Sequence, residues 1–376
     1  MAGIYIHIPF CKQQCNYCDF HFSTSLKNKN DLIKALLQEI KLRKEFVKQA
    51  PIKTIYFGGG TPSILSEKEL LTIFNHLYSH FDINDDAEIT LEANPDDLSD
   101  QKVKELKNTP INRFSIGIQS FFDEDLKFMN RAHNSNEALQ SIKRVQDKGW
   151  DNITIDLIYG TPTLSNEMWL TNLQKITELK IPHLSAYSLT VEEKTPLFHN
   201  IKKGISKAPD PEKSRQQFLL LMDFARQNQL EHYEISNFAK KGFMAKHNSS
   251  YWRGDAYLGL GPSAHSYDHN KRQWNVANNV KYIASIKKGL PSFSEELLSE
   301  KEQYNEYIMT SLRTIWGCNL DLIELRFSPF LVNFFKISIK KWLKGGEIIQ
   351  KNKNYQFSQL GKLMADRVTS DLFYVD

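Results

Sequence analysis

The sequence predicts an α/β protein whose larger part is a parallel sheet covered by helices, followed by a smaller helical unit that carries a hairpin. Two observations lead there. From residue 3 to about 228, short β-rich runs alternate with longer helical patterns, and each strand reads as a nearly continuous apolar run followed by a helix, the pattern of parallel strands buried on both faces. The polar and glycine-rich motifs fall just past the strands, where parallel α/β architectures place their ligands.

The expected strands are Ile4–Ile8, Thr54–Phe57, Glu88–Glu92, Arg113–Ile118, Asn152–Ile158 and His183–Leu189. Helix-like segments lie near 30–48, 66–80, 99–107, 134–148, 166–179 and 211–228, several opened by a capping residue such as Ser66, Ser99 or Asn166. Such units suit either a doubly wound sheet or an incomplete β/α barrel, and periodicity alone does not choose. Residues 229–290 change character. Tyr233–Phe238 reads as one more strand, but the following aromatic and glycine-rich stretch has little helical period and is expected to be a lid or binding loop. Past Gly289-Leu-Pro291 come helices near 300–315, 320–326 and 330–344. Two short β runs, Glu347–Gln350 and Tyr355–Phe357, and a last helix after Ser358 complete the chain. The expected division is therefore 1–228, 229–290 and 291–376, the last part resembling a winged helix. With no strong basic bias, packing or partner docking is its expected role.

Composition sets bounds. The 376 residues carry 48 Lys and Arg against 44 Asp and Glu, a net charge of +4 spread along the chain, which specifies no nucleic-acid partner. No apolar run approaches the roughly 18–20 residues a membrane span requires, and the start lacks a basic region followed by a long apolar stretch. A soluble, cytoplasmic protein in a thiol-reducing compartment is expected. The densest basic stretch, Lys336 to Lys344, is interleaved with Ile337, Ile339, Trp342 and Leu343 and reads as the solvated face of an amphipathic helix. Docking to a polyanion or an anionic lipid surface, at most peripheral, is the alternative.

Three of the four cysteines, Cys11, Cys15 and Cys18, share one short loop after the first strand. The intervening Lys12, Gln13, Gln14 and Asn16 have no apolar period, so the thiols are not packing residues. Clustered thiolates suit zinc or an iron–sulfur cluster. A zinc site would need a nearby fourth ligand such as His7 or His21, whereas three thiolates on a four-iron cluster leave one iron open. The odd count argues against a disulfide framework.

The spacing C-x3-C-x2-C, with an aromatic before the third cysteine, resembles the radical S-adenosylmethionine (SAM) superfamily. The flanks Tyr5-Ile-His-Ile-Pro-Phe-Cys11 and Cys15-Asn-Tyr-Cys-Asp-Phe20 resemble its branch of oxygen-independent coproporphyrinogen III oxidases and HemW heme chaperones. The resemblance spans essentially the whole chain, to Phe357-Ser-Gln-Leu-Gly361. It implies a partial parallel (β/α)6 TIM-like barrel, a [4Fe–4S] cluster on Cys11, Cys15 and Cys18, SAM at the open iron, and an electron donor for the cluster. Reductive cleavage of SAM yields a 5′-deoxyadenosyl radical that must be shielded from water, which a barrel interior provides.

The same resemblance nominates site residues. Tyr5, Tyr17 and Glu92 would surround the cluster-bound SAM. Gly59, Gly60, Thr61, Gln119, Arg131 and Asp156 match positions that contact a second SAM in the oxidases. One SAM or a porphyrin bordered by the same residues is the alternative. Read by itself, Gly58-Gly-Gly60 permits close backbone approach and could equally be a tight turn with no ligand. Each polar residue could likewise be a satisfied group at a barrel rim.

Two departures choose between the branches. The oxidase pattern continues to a fourth cysteine where this chain has Phe20, and His247-Asn-Ser-Ser-Tyr-Trp252 matches the HNxxYW signature of the HemW family. That branch implies heme as a further cofactor and a heme-accepting protein as partner, with coproporphyrinogen decarboxylation as the alternative activity. His247 is the first candidate for heme ligand, against a plain loop hydrogen bond, with His265, His7 and His21 behind it. Tyr251 and Trp252 could stack on a porphyrin face or form a small loop core.

Overall fold

The computed structural model describes residues 2–47 and 50–375. Its backbone is a partial β/α barrel in which β1 (Ala2–Ile8), β2 (Ile52–Gly59), β3 (Ile83–Ala93), β4 (Arg113–Gln119), β5 (Ile153–Tyr159) and β6 (His183–Ser188) run parallel in sequence order. The expected strands are all present. The first helix is shorter than its pattern suggested, Lys29–Leu42, and position 48 lies outside the described residues. Ser66 and Ser99 cap their helices, Ser66 in a reciprocal capping box with Glu69. Ser165 rather than Asn166 caps the next candidate, its hydroxyl accepting from Met168 N. Asn166 is the first helical residue there.

One sequence reading needs correction. The barrel strands are not continuous apolar runs, because each alternates. Ile4, Ile6 and Ile8, Ile55 and Phe57, Phe114, Ile116 and Ile118, and Ile155 and Leu157 are fully buried in the main core. The residues between them are polar, small or aromatic: Tyr5, Tyr56, Glu92, Ser115, Asp156 and Ser185, and these line an internal cavity. Successive strand residues face opposite sides, so the apolar set meets the helices and the polar set meets the lumen.

The segment 229–290 is not an irregular lid. Tyr233–Phe238 is a hairpin of β7 (Glu231–Glu234) and β8 (Asn237–Ala239), with β8 antiparallel to β6. The helix Lys246–Trp252 follows, and β9 (Ala256–Leu260) lies parallel against the free side of β1. β10 (His265–Tyr267), β11 (Lys271–Asn275) and β12 (Phe293–Leu297) extend that edge. Among the described residues the sheet order is β12-β11-β10-β9-β1-β2-β3-β4-β5-β6-β8-β7, open at both ends. The glycines of this stretch are packing devices. A Cβ on Gly259 would lie 2.0 Å from the His265 carbonyl oxygen, so only glycine lets β9 and β10 meet. The fully buried Glu39 of the first helix then ties the segment down, accepting from Gly261 N, Asn275 Nδ2 and Tyr282 Oη at 2.6–2.8 Å.

A second buried cluster runs from Tyr304 to Leu372. It joins the helices Glu300–Leu312, Leu320–Arg326 and Pro329–Gly345 to a three-stranded sheet of β13 (Cys318–Asn319), β14 (Ile348–Lys351) and β15 (Asn354–Phe357). The last helix is two short ones, Gln359–Leu363 and Ala365–Asp371. Leu331, Phe335, Ile339 and Trp342 form the buried face of the basic helix, while Ile337 is exposed. Among the described residues no helix is long and apolar enough to cross a membrane.

Candidate functional site

The cysteine loop rests on the carboxyl ends of the strands, and its polar residues are what moor it. Asn16 N and Nδ2 donate to the carbonyls of Met129 and Phe128 at 3.0 and 2.8 Å. Asn130, held at φ 55°, donates through Nδ2 to the Gln14 carbonyl and receives Gln13 Nε2. Lys12 pairs with Asp96 at 2.9 Å and also with Asp97. Tyr17 packs its ring against the apolar cluster of Leu126, Met129 and Leu197, its hydroxyl hydrogen-bonded to Cys15.

The thiols are free and half-buried. Arg131 donates to Cys15 Sγ at 3.1 Å, to Asn94 Oδ1 at 2.6 Å and to the Gly117 carbonyl at 2.8 Å. Asn94 Nδ2 in turn donates to the Thr61 hydroxyl at 3.1 Å, and Thr61 is hydrogen-bonded to Cys11. A polar belt therefore runs Cys11, Thr61, Asn94, Arg131, Cys15. Burial pushes the Cys11 thiol up and Cys18 to about 11, with the neighbouring cysteines adding repulsion. A cationic centre would reverse both effects. Among the described residues no three His, Cys, Asp or Glu side chains are placed to hold a single metal ion. His7 has both ring nitrogens engaged, Nδ1 with Tyr5 Oη and Nε2 with the His21 carbonyl, and His21 Nε2 meets Asn279 Oδ1. A four-iron cluster asks for one sulfur per iron, which suits thiols spread along a loop. Arg131 Nε is buried without a partner, a donor left for an anionic group beside the cysteines.

The glycine run sits directly beneath. Gly60 N donates to the Ile8 carbonyl and Thr61 N to the Phe10 carbonyl. A Cβ on Gly60 would lie 2.7 Å from Phe10 backbone atoms, and Gly59 has φ +103° with its Cβ position against the His7 ring. These glycines thus make the close approach that lets β2 support the cysteine loop. Gln119 ends β4 at φ 65°, its amide near Gly117 and so near the Arg131 guanidinium.

Below the belt, the lumen is a cavity of about 240 Å³ lined by Tyr5, Tyr56, Glu92, Asp156 and His247 among others. Burial pushes Glu92 up to about 7, with the Asp156 charge adding to it and the 2.7 Å bond from Tyr56 Oη opposing it. Asp156 rises to about 6 by burial, against hydrogen bonds from Ser185 and Ser115. A buried Arg113 closes the floor, reaching Thr90 and Thr154, with Glu88 at 3.9 Å.

His247 is not at the cysteine end. Its ring lies beside Gly3 and Thr54 at the amino ends of β1 and β2, separated from the cysteine loop by the length of β1, roughly 20 Å at about 3.3 Å per residue. Glu88 Oε1 and Oε2 accept from His247 N and Lys246 N, each at 3.0 Å, and so hold the amino end of the helix Lys246–Trp252. Both ring nitrogens are engaged, Nδ1 with Thr54 Oγ1 and Nε2 with Tyr251 Oη, each at 2.7 Å. The ring stacks on Tyr56 at 5.1 Å. Burial, helped by the Arg113 charge, pushes His247 down to about 3, so it is neutral near pH 7.

The structure therefore gathers Cys11, Cys15, Thr61, Arg131 and Gln119 at one end, Tyr5, Glu92 and Asp156 in the lumen, and His247 at the other end. Tyr56, Glu88, Arg113 and His183 were not anticipated. Their signal was the polar residue at every second position of the strands.

Comparison with known proteins gives the family and the fold. The family model described as the radical SAM superfamily matches residues 5–176. The heme chaperone HemW of Lactococcus lactis subsp. lactis is 35% identical over 326 residues, 86% of this chain and 84% of the relative. That of Bacillus subtilis is 33% identical over 371 residues, 98% of each chain. Among solved structures, the coproporphyrinogen III oxidase of Escherichia coli superposes with a TM-score of 0.85 over 99% of this chain and 90% of that one, at 22% identity. At that identity the likeness is one of fold.

Proposed function

Because the chain belongs to the HemW family of heme chaperones within the radical SAM superfamily, we propose that it binds heme and transfers it to an acceptor protein, carrying a [4Fe–4S] cluster and SAM as resident groups. The observation that carries this reading is the alignment with a heme chaperone over 98% of both chains. It gains support from Phe20, a 68% exposed phenylalanine where the resemblance puts a further cysteine in the oxidases.

In this reading Cys11, Cys15 and Cys18 hold the cluster, supplied with electrons by a donor protein. Arg131 and Thr61 donate hydrogen bonds that stabilise the thiolates and tune the centre. Arg131 Nε, Gln119, Gly59, Gly60, Tyr5, Tyr17, Glu92 and Asp156 border SAM. The cluster and SAM supply one-electron chemistry when bound. The chain's own contribution is a polar lumen in which Glu92 can hold or release a proton near neutral pH. His247 becomes an iron ligand only if Thr54 Oγ1 gives up Nδ1 or Tyr251 Oη gives up Nε2.

Two measurements test the proposal. Anaerobic reconstitution is expected to give iron and sulfide near four per chain in the wild type and their loss in Cys15→Ala. Zinc in their place would remove the cluster. Titration with hemin is expected to show saturable binding. Incubating the reduced holoprotein with SAM and coproporphyrinogen III is expected to leave the substrate unchanged, and decarboxylated product would replace the chaperone reading with the oxidase one.

A further inference from the structure

The lumen is too small for a macrocycle. Its 240 Å³ falls below the roughly 300–1,000 Å³ of sites that enclose drug-sized ligands, and its walls are polar. A second cavity of about 720 Å³ lies on the far side of the helix Lys246–Trp252, between β9–β11 and the helix Glu300–Leu312. Tyr251 lines both cavities, so it is the partition between them.

The lining of this cleft has two parts. One is aromatic: Trp252, Tyr257, Tyr267, Tyr307 and Trp316 contribute, and Trp252 Nε1 is buried without a hydrogen-bond partner. The other is cationic. Arg272 is neutralised by Glu306. Arg253 lies over the Trp316 ring at 4.4 Å and Arg326 over the Tyr307 ring at 5.3 Å, and among the described residues neither forms an ion pair with a carboxylate. Two uncommitted guanidinium groups at an aromatic cleft match a flat aromatic ligand that carries two carboxylates, since each fork can take one carboxylate in bidentate fashion.

We propose that the cleft between the helix Lys246–Trp252 and the helix Glu300–Leu312 is the porphyrin site, with the macrocycle against Trp252, Trp316 and Tyr307 and its two propionates on Arg253 and Arg326. This rests on the heme-chaperone reading. It also redistributes the roles within the signature helix. Tyr251 and Trp252 face the porphyrin, and His247 stands behind Tyr251, bonded to its hydroxyl.

The test titrates the full-length protein with hemin by absorbance and, separately, with iron-free protoporphyrin IX by fluorescence, which removes iron ligation from the measurement. The wild type is compared with the double variant Arg253→Glu/Arg326→Glu and with Lys336→Glu/Lys340→Glu, which changes net charge equally on a helix that does not line the cleft. Both arginines are exposed, so the fold should tolerate their reversal. The double variant is expected to bind both porphyrins at least about tenfold more weakly, with the lysine variant like wild type. Wild-type affinity in the double variant would overturn the cleft assignment and leave the chaperone reading standing. Equal weakening in the lysine variant would overturn it too, because net charge alone would then explain the effect. A wild type that binds no hemin would remove the chaperone reading itself.

Discussion

Glu88→Gln isolates what holds the signature helix on the barrel. Glu88 is 5% exposed and accepts from the backbone N–H groups of Lys246 and His247, each at 3.0 Å. Hydrogen bonds to a charged acceptor contribute about 1.5–3 kcal/mol each. Glutamine has a similar shape but offers one acceptor, and its amide NH2 would face either the second N–H or Arg113, 3.9 Å from the native carboxylate. One bond is lost outright and the other loses its charge assistance, so the local cost should be about 3 kcal/mol. Native-state hydrogen exchange read by mass spectrometry reports local opening without requiring whole-chain two-state unfolding. The peptide covering 245–253 should exchange roughly 100-fold faster in the variant, since about 1.4 kcal/mol corresponds to tenfold. The helix Ser135–Asp147, which has its own capping box from Asn134 and Glu137, should be unaffected. A change below about threefold at 245–253 would refute the claim that Glu88 pins the helix.

Three further outcomes follow from the geometry. Arg131→Met removes the donors to Cys15, Asn94 and Gly117 and should lower the iron and sulfide retained after anaerobic reconstitution, while retention at the wild-type level would show that the belt does not order the loop. Gly60→Ala places a Cβ 2.7 Å from the Phe10 backbone and should destabilise the apoprotein by about 1–3 kcal/mol, seen as a lower melting temperature; an unchanged melt counts against the close-approach reading. Burial and the Arg113 charge hold His183 well below its ordinary value, so the folded protein refuses a proton that the unfolded chain takes up below about pH 6.5. Stability should therefore fall as pH drops through that value, and because His247 and His232 are lowered by burial as well, His183→Gln should lessen but not abolish the change in urea midpoint between pH 7 and pH 5, an equally steep change arguing against a neutral buried His183.

The barrel was legible because strand and helix periods differ, and Ser66 and Ser99 announced the helices they cap. What was misread came from treating residues singly. Thr54 and Tyr56, Glu88, Thr90 and Glu92, Arg113 and Ser115, and Thr154 and Asp156 each look like an interruption of an apolar run. Only when the strands are set side by side do they form a polar lumen, and lateral alignment is a property of register. The glycine-rich stretch holding Gly259 and Gly261 was expected to be a lid or binding loop because a glycine's neighbours in space are invisible in sequence. The cysteine end was found from spacing. The belt through Asn94 escaped, since an asparagine before proline reads first as a turn residue. His247 was singled out, but its place at the amino ends of the strands depends on Glu88, about 160 residues earlier.

The strand that leads into the cysteine loop also has a history in time. β1 is paired on one side by β2 and on the other by β9, whose first residue is Ala256. During synthesis at about 5–20 residues per second, that second side waits roughly 10–50 s for its partner. Until then β1 is an edge, able to pair with other chains, and the loop beyond it hangs from a strand fixed on one flank. Its thiols are made well before β9, and their support is completed only when Ala256–Leu260 has come back to meet β1.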